Sequence, residues 1–232
     1  MTVASRPGAP PAVTRPESLE HVARAASPHA LAVLGAFHPG PGDDLPAECG
    51  TLVLLGPDEP GFWTAFRAGE EWRDGGTDPL DRWSERVIGG LAGRLAARAF
   101  YPFGGPPYRP FLRWAMRSGH AWTSPVGLLV HETAGLMVSF RGALAFEHRL
   151  ALPPPGARPC DGCAGFCLDA CPVGALGRDG YDLRACHGLL DTGAGAECLG
   201  RGCAVRRACP VGAGRRPEEQ SAFHMAAFHG RQ

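Results

Sequence analysis

The sequence predicts an α+β fold with a cysteine-rich appendage, and three observations carry that prediction. Short continuous apolar runs alternate with stretches of helical periodicity through residues 16–151, the mixture expected of one layered domain. A stiff Pro-rich linker follows at 152–159. Beyond it, residues 160–209 hold eight of the chain's nine cysteines, too dense a set for ordinary core packing.

In order along the chain, residues 1–15 are rich in Pro and Ala and aperiodic, which predicts a flexible tail. Residues 16–26 place Leu19, Val22, Ala23 and Ala26 on one face behind acidic Glu17 and Glu20, a short helix. Residues 31–37 predict a buried strand ended by the turn at 39–44, and residues 51–55 a second strand covered on both faces. Helices are expected at 61–68 and 79–98. In the second, Trp83, Val87, Ile88, Leu91 and Leu95 oppose Arg82, Glu85, Arg86 and Arg94, the stripe of a long packing helix. Residues 99–103 predict a strand, 104–110 a rigid loop, 111–118 a helix, and 128–130 and 136–140 two strands joined by a turn through His131 to Gly135. Residues 160–216 form the cysteine module, and 217–232 a final helix packed back on the body, with Phe223, Ala227 and Phe228 on one side.

Lysine plus arginine balance aspartate plus glutamate at 23 each, so no broad basic face exists to bind nucleic acid. Arg201, Arg206, Arg207, Arg215 and Arg216 do cluster beside the cysteines; they predict a solvated rim, with a docking patch for a redox partner protein as the alternative. The start of the chain has no apolar signal segment, and no stretch approaches the roughly 20 apolar residues of a membrane span. A cytoplasmic chain that avoids membranes is the expectation.

In such a compartment clustered cysteines bind metal rather than pair as disulfides. The run opens Cys160-x2-Cys163-x3-Cys167-x3-Cys171-Pro172, one residue longer than the bacterial ferredoxin pattern between its second and third ligands. Cys186, Cys198, Cys203 and Cys209-Pro210 follow, so the Cys-Pro element recurs. Two such endings and eight thiols suit two 4Fe-4S clusters, because the last cysteine of each run points to the neighbouring cluster. Structural zinc ranks behind, since only Cys160 and Cys163 form a Cys-x2-Cys pair, and unligated thiols rank with it. Cys49 stands apart, ahead of a strand, as a small buried apolar residue.

Trp114-Ala115, the segment Ser118 to Trp122, the two strands between Gly127 and Phe140 and the Pro-bounded link to the cysteines together resemble the epoxyqueuosine reductases over roughly Gly50 to Cys209. The resemblance implies a first domain similar to flavin nitroreductase-type and cobalamin-processing folds, holding cobalamin or, as second choice, flavin, with a ferredoxin-like module feeding it electrons. It implies one cluster on Cys160, Cys163, Cys167 and Cys209, with Cys171, Cys186 and Cys203 on the other. The remaining ligand of that family lies between the positions of Cys203 and Cys209, where this chain has Ala-Val-Arg-Arg-Ala, and Cys198 is the substitute. The family's catalytic Asp precedes the Trp-Ala helix; the matching stretch, 103–110, holds no carboxylate, which sets this chain apart from that chemistry. Nor does the chain carry the helical repeat domain found in many of those enzymes.

His120 and His131 flank the segment that would face a ligand in such a fold, as cobalt ligand or proton donor. Each also fits as a plain loop histidine. Tyr108 and Arg109 are candidates for a phosphate or corrin amide, or serve as loop anchors. Trp114 and Trp122 fit the core; Trp122 joins Tyr108, Arg109 and His120 as a candidate cofactor contact. The functional expectation is an iron–sulfur electron-transfer protein with a redox partner. The alternatives are a cobalamin- or flavin-dependent reductase wired by the clusters, acting on a small molecule, or a corrinoid-processing carrier.

Overall fold

The computed structural model describes residues 13–230. The tail expected at 1–15 lies outside them up to residue 12, and residues 14 and 15 are tied down, Thr14 N–H donating to Arg94 O at 2.8 Å and Arg15 Nε to His148 Nδ1 at 3.0 Å. The fold is a mixture of α and β. Its centre is an antiparallel sheet of β1 (Leu31–Phe37), β2 (Thr51–Pro57), β3 (Arg98–Phe100) and β6 (Gly142–Phe146), in the order β1-β2-β6-β3.

Both central strands are buried throughout, and the alternation of β2 shows why. Val53 and Leu55 face one core, with Phe146, against α1 (Leu19–Ala26), α2 (Gly61–Arg67) and α4 (Pro79–Arg94). Leu52 and Leu54 face the other, with Ala143 and Ala145, against Phe111, Trp114 and Ala115 of α5 (Phe111–Arg117). A strand sandwiched between two apolar layers loses the polar half of its period and becomes a continuous hydrophobic run. The helices match expectation in place. Ser18 caps α1 by accepting from His21 N–H at 3.2 Å, and Trp83, Val87, Ile88, Leu91 and Leu95 are buried along α4.

Three expectations need correction. The long helix ends at Arg94 rather than 98, because Ala96 turns left-handed at φ 51° and Arg98 enters β3 opposite Ala145. The strand expected at 136–140 does not form. Its apolar residues divide between two cores, Leu136 in one and Val138 and Phe140 in the other. Its carbonyls serve guanidinium groups instead of a ladder: Leu136 O accepts from Arg206 and Met137 O from Arg216 at 2.6 Å. The strand in that region is Gly142–Phe146, whose Gly and Ala content hid it. Residues 128–130 do lie in a hairpin, but β5 (Leu129–His131) pairs with β4 (Ala121–Thr123).

The cysteine module comes after the linker and carries the small pair β7 (Leu176–Gly177) and β8 (Gly180–Tyr181), then α6 (Leu183–Leu190), α7 (Ala196–Arg201), α8 (Ala204–Arg207) and α9 (Glu218–His229). Of the helix expected at 217–232, the last two residues lie outside the described ones. The module shares a core with the β4–β5 hairpin: Val126, Val130 and Leu136 pack with Cys167, Leu176 and Val205. The α9 helix bridges rather than presenting one apolar face. Phe223 enters an aromatic group with Trp63, Phe66 and Trp72, at ring separations of 5.4 to 6.2 Å, while Phe228 stacks on His187 of the module at 4.7 Å. Among the described residues no helix is long and apolar enough to cross a membrane.

Among the largely buried carboxylates of the body, Glu71 has its pKa lowered. Glu71, in the short helix α3 (Glu70–Arg73), is 7% exposed and accepts both Arg86 Nε and, at 2.9 Å, Arg86 Nη2. The Arg86 hydrogen bonds hold its carboxyl below the usual carboxylate range. Because its folded pKa lies below the unfolded one, the stabilisation is present above about pH 4.3 and is lost as pH falls through the folded pKa. Glu71→Gln is expected to destabilise the neutral-pH protein by about 1 kcal/mol, the half-exposed Arg86 keeping the figure small. Thermal melts of the two proteins should converge as pH is lowered below about 4.

Candidate metal centres

The eight clustered cysteines fall into two groups of four. Cys160, Cys163, Cys167 and Cys209 line one cavity, together with Val130, Leu136, Phe166 and Val211. Cys171, Cys186, Cys198 and Cys203 line a second, among Leu176, Leu189, Leu190 and Val205. Both are narrow, with volumes of about 20 and 30 Å³. Cys49 belongs to neither: it is buried in the body, its thiol donates to Thr51 O at 3.5 Å, and burial pushes its pKa up to about 11. It is the inert core residue its isolation implied.

Local chain geometry makes the first group. Cys163 N–H donates to Cys160 O at 3.2 Å and Leu168 N–H to Gly165 O at 2.9 Å, successive turns that bring Cys160, Cys163 and Cys167 around one space. Cys171 then carries the chain to the second cavity. There Asp182 caps α6 by accepting from Ala185 N–H at 2.9 Å, setting Cys186 in its first turn. Cys198 sits in α7 and Cys203 at the start of α8. After α8 the chain returns Cys209 to the first cavity. Gly135 permits that return, since a Cβ there would lie 2.0 Å from Val211 O and 3.0 Å from Cys209 Sγ. The fourth cysteine of each Cys-Pro run thus faces the other group's space, the crossing expected of paired clusters.

Burial raises the pKa of Cys160, Cys167 and Cys186, and each group's neighbouring thiols add to the rise. A metal that binds these three thiols would displace their protons. Donors reach two of the sulfurs: Gly165 N–H to Cys163 Sγ at 3.5 Å and Tyr181 Oη to Cys186 Sγ at 3.3 Å. Four soft thiol ligands in a mostly apolar wall are a donor set for an iron–sulfur cluster or for zinc. Among the described residues no three His, Cys, Asp or Glu side chains stand close enough to hold a single metal ion.

The other candidates do not gather at one place. Tyr108 is 66% exposed. Arg109 stacks over Phe100 at 5.1 Å and donates to Asp44 O at 3.2 Å. His120 pairs with Glu132 at 2.8 Å, and Trp122 packs half-buried on the core shared with the module. His131 is committed to the fold: Nε2–H donates to Leu34 O at 3.1 Å while Nδ1 accepts from Thr133 and Ala134 N–H, and burial lowers its pKa. Trp114 is fully buried, donating to Asp43 O at 2.8 Å. The 103–110 loop has no carboxylate of its own, but Asp43 and Asp44 approach the helix after it, paired with Arg117 and Arg113.

The arginines also depart from expectation. Arg201 and Arg207 are ion-paired with Glu197 and Arg215 approaches Asp58, as a rim would be. Arg206 and Arg216 turn inward to the carbonyls of 136–137. Nothing in their sequence spacing separates them from Arg207 and Arg215. Tyr181 and Glu59 were likewise silent in the sequence; Glu59 accepts from Arg216 at 3.2 Å and from Gln220 at 2.7 Å.

No family model matches the chain, and neither a curated protein nor a solved structure matches it. The described residues define a mixed α and β body joined through a shared core to a module with two four-thiol cavities.

The position of Cys198 in the second cavity yields a direct test. Cys198→Ser should lower bound iron from about eight to about four per chain and leave the first group loaded. Iron analysis after anaerobic purification reads the result, and unchanged iron would remove Cys198 from the ligands.

Proposed function

We propose that this chain is an iron–sulfur electron-transfer protein carrying two 4Fe-4S clusters. The observation that carries the reading is the four-and-four division of the thiols between two neighbouring cavities. Cys160, Cys163, Cys167 and Cys209 hold one cluster; Cys171, Cys186, Cys198 and Cys203 hold the other. When bound, the clusters supply one-electron transfer at potentials set by their charge, sulfur hydrogen bonds and exposure. The chain's own residues hold the thiols in their two groups, exclude water with Leu136, Leu176 and Val205, and donate to sulfur from Gly165 N–H and Tyr181 Oη. Exposed Phe166 and Val173 beside the two groups offer a redox partner protein an approach.

The resemblance to the epoxyqueuosine reductases supports a related second reading: a nitroreductase-like or cobalamin-processing-like body whose cofactor the clusters reduce. The one observation in its favour is a cavity of about 280 Å³ between body and module, walled in part by Cys186 and Cys203. Against it, Tyr108, Arg109, His120 and Trp122 do not converge on that space. The body's own contribution under the first reading is to clamp the module.

Anaerobic purification with iron, sulfide and cobalt quantified, followed by titration with cobalamin, separates the readings. Electron transfer alone predicts about eight irons per chain and no change in the cobalamin spectrum. A spectral shift would move the function to the corrinoid reading, and zinc in place of iron would overturn both.

A further inference from the structure

The first thiol cavity has one polar side chain besides its cysteines. Ser124 lines it with Cys160, Cys163, Cys167 and Cys209, and the rest of the wall, Val130, Leu136, Pro159, Phe166, Pro210 and Val211, offers no side-chain acceptor. Ser124 is 5% exposed, and its Oγ is buried with no hydrogen-bond partner among the described residues. The other buried side-chain atoms left in that state, Glu59 Oε2, Trp63 Nε1 and Gln220 Oε1, line neither thiol cavity.

The backbone leaves Ser124 little freedom. It sits in the turn between β4 and β5, where its N–H donates to Leu128 O at 2.8 Å and its carbonyl accepts from Gly127 N–H at 3.0 Å. Gly127 makes this turn at φ 75°, a left-handed conformation that suits glycine. Val126 and Val130, each 1% exposed, seat the hairpin in the core that also holds Cys167. Arg158 Nη2 donates to Thr123 O at 2.8 Å, which ties the approach to Cys160 to the same turn. The hydroxyl is therefore a fixed feature of the cavity.

A buried hydroxyl without a partner is costly, and native structures rarely leave one. It carries one O–H donor, and the sulfurs of a bound cluster are acceptors with no protons of their own. We propose that Ser124 donates its O–H to a sulfur of the cluster held by Cys160, Cys163, Cys167 and Cys209, raising the reduction potential of that group from the body side. The inference rests on the cluster reading of the thiols. When one electron arrives from a redox partner protein, the negative charge at the sulfurs rises by one and the hydroxyl keeps its proton. A donor already in place stabilises that reduced form more than the oxidised one. The body thereby sets the potential of the first group, as Tyr181 of the module does for the second through Cys186 Sγ.

The test is a dye-mediated potentiometric titration of the anaerobically purified full chain, followed by electron paramagnetic resonance, with iron quantified in every sample. Ser124→Ala should make reduction of one group about tenfold less favourable, a midpoint ~59 mV more negative, and leave the other midpoint unmoved. Tyr181→Phe should shift that other midpoint, which assigns the two. Ser124→Thr keeps the hydroxyl and should stay close to the parent chain, whereas a packing role alone would make the larger side chain the more disruptive. Iron near eight per chain with both midpoints unmoved by Ser124→Ala, or with Ala and Thr moving them alike, would overturn the proposal alone. Iron-free protein would overturn the cluster reading beneath it.

Discussion

Two guanidinium groups crossing from the cysteine module to the body's backbone are the contact on which the arrangement depends. Arg206 and Arg216 donate to the carbonyls of Leu136 and Met137, and Arg216 also to Ser139 Oγ at 3.1 Å. A charge-assisted hydrogen bond out of contact with water is stronger than a neutral one. These bonds account for backbone acceptors that a strand would otherwise have paired. They hold the 136–140 segment between two cores, and that segment in turn forms part of the wall of the first thiol cavity through Leu136.

From that clamp the module's geometry follows. Val205, between Cys203 and Arg206, packs into the core shared with Val130 and Leu136, fixing α8 against the body. The end of α8 delivers Cys209 to the first group and its start presents Cys203 to the second. A single short helix thus sets one thiol in each cavity. The α9 helix closes the assembly, with Phe223 among the body's aromatic rings and Phe228 against His187.

Legibility in the sequence tracked how local each signal was. The strands at 31–37 and 51–57 and the helices at 79–94 and 218–229 announced themselves by apolar runs or periodicity, because one element's burial determines its own pattern. The first three cysteines were legible for the same reason, their spacing being a property of one turn-rich segment. Gly142–Phe146 was not, because a strand buried tightly on both faces here uses Gly and Ala, which carry little strand signal. Residues 136–140 misled in the opposite direction, being apolar on account of two separate cores, with arginines occupying the carbonyls of Leu136 and Met137. The inward turn of Arg206 and Arg216, set beside Arg207 and Arg215 in sequence, is a tertiary fact that no local pattern encodes. The cavity between the halves was missed with them.

Two separately ligated, neighbouring clusters are the central claim, and the spin count of the reduced protein tests it most directly. Electron paramagnetic resonance of the anaerobically purified, dithionite-reduced chain should integrate to about two spins, with the broadening of two paramagnets close together. A single isolated spin from a fully iron-loaded sample, or a silent sample whose metal is zinc, would contradict the four-and-four assignment of the thiols.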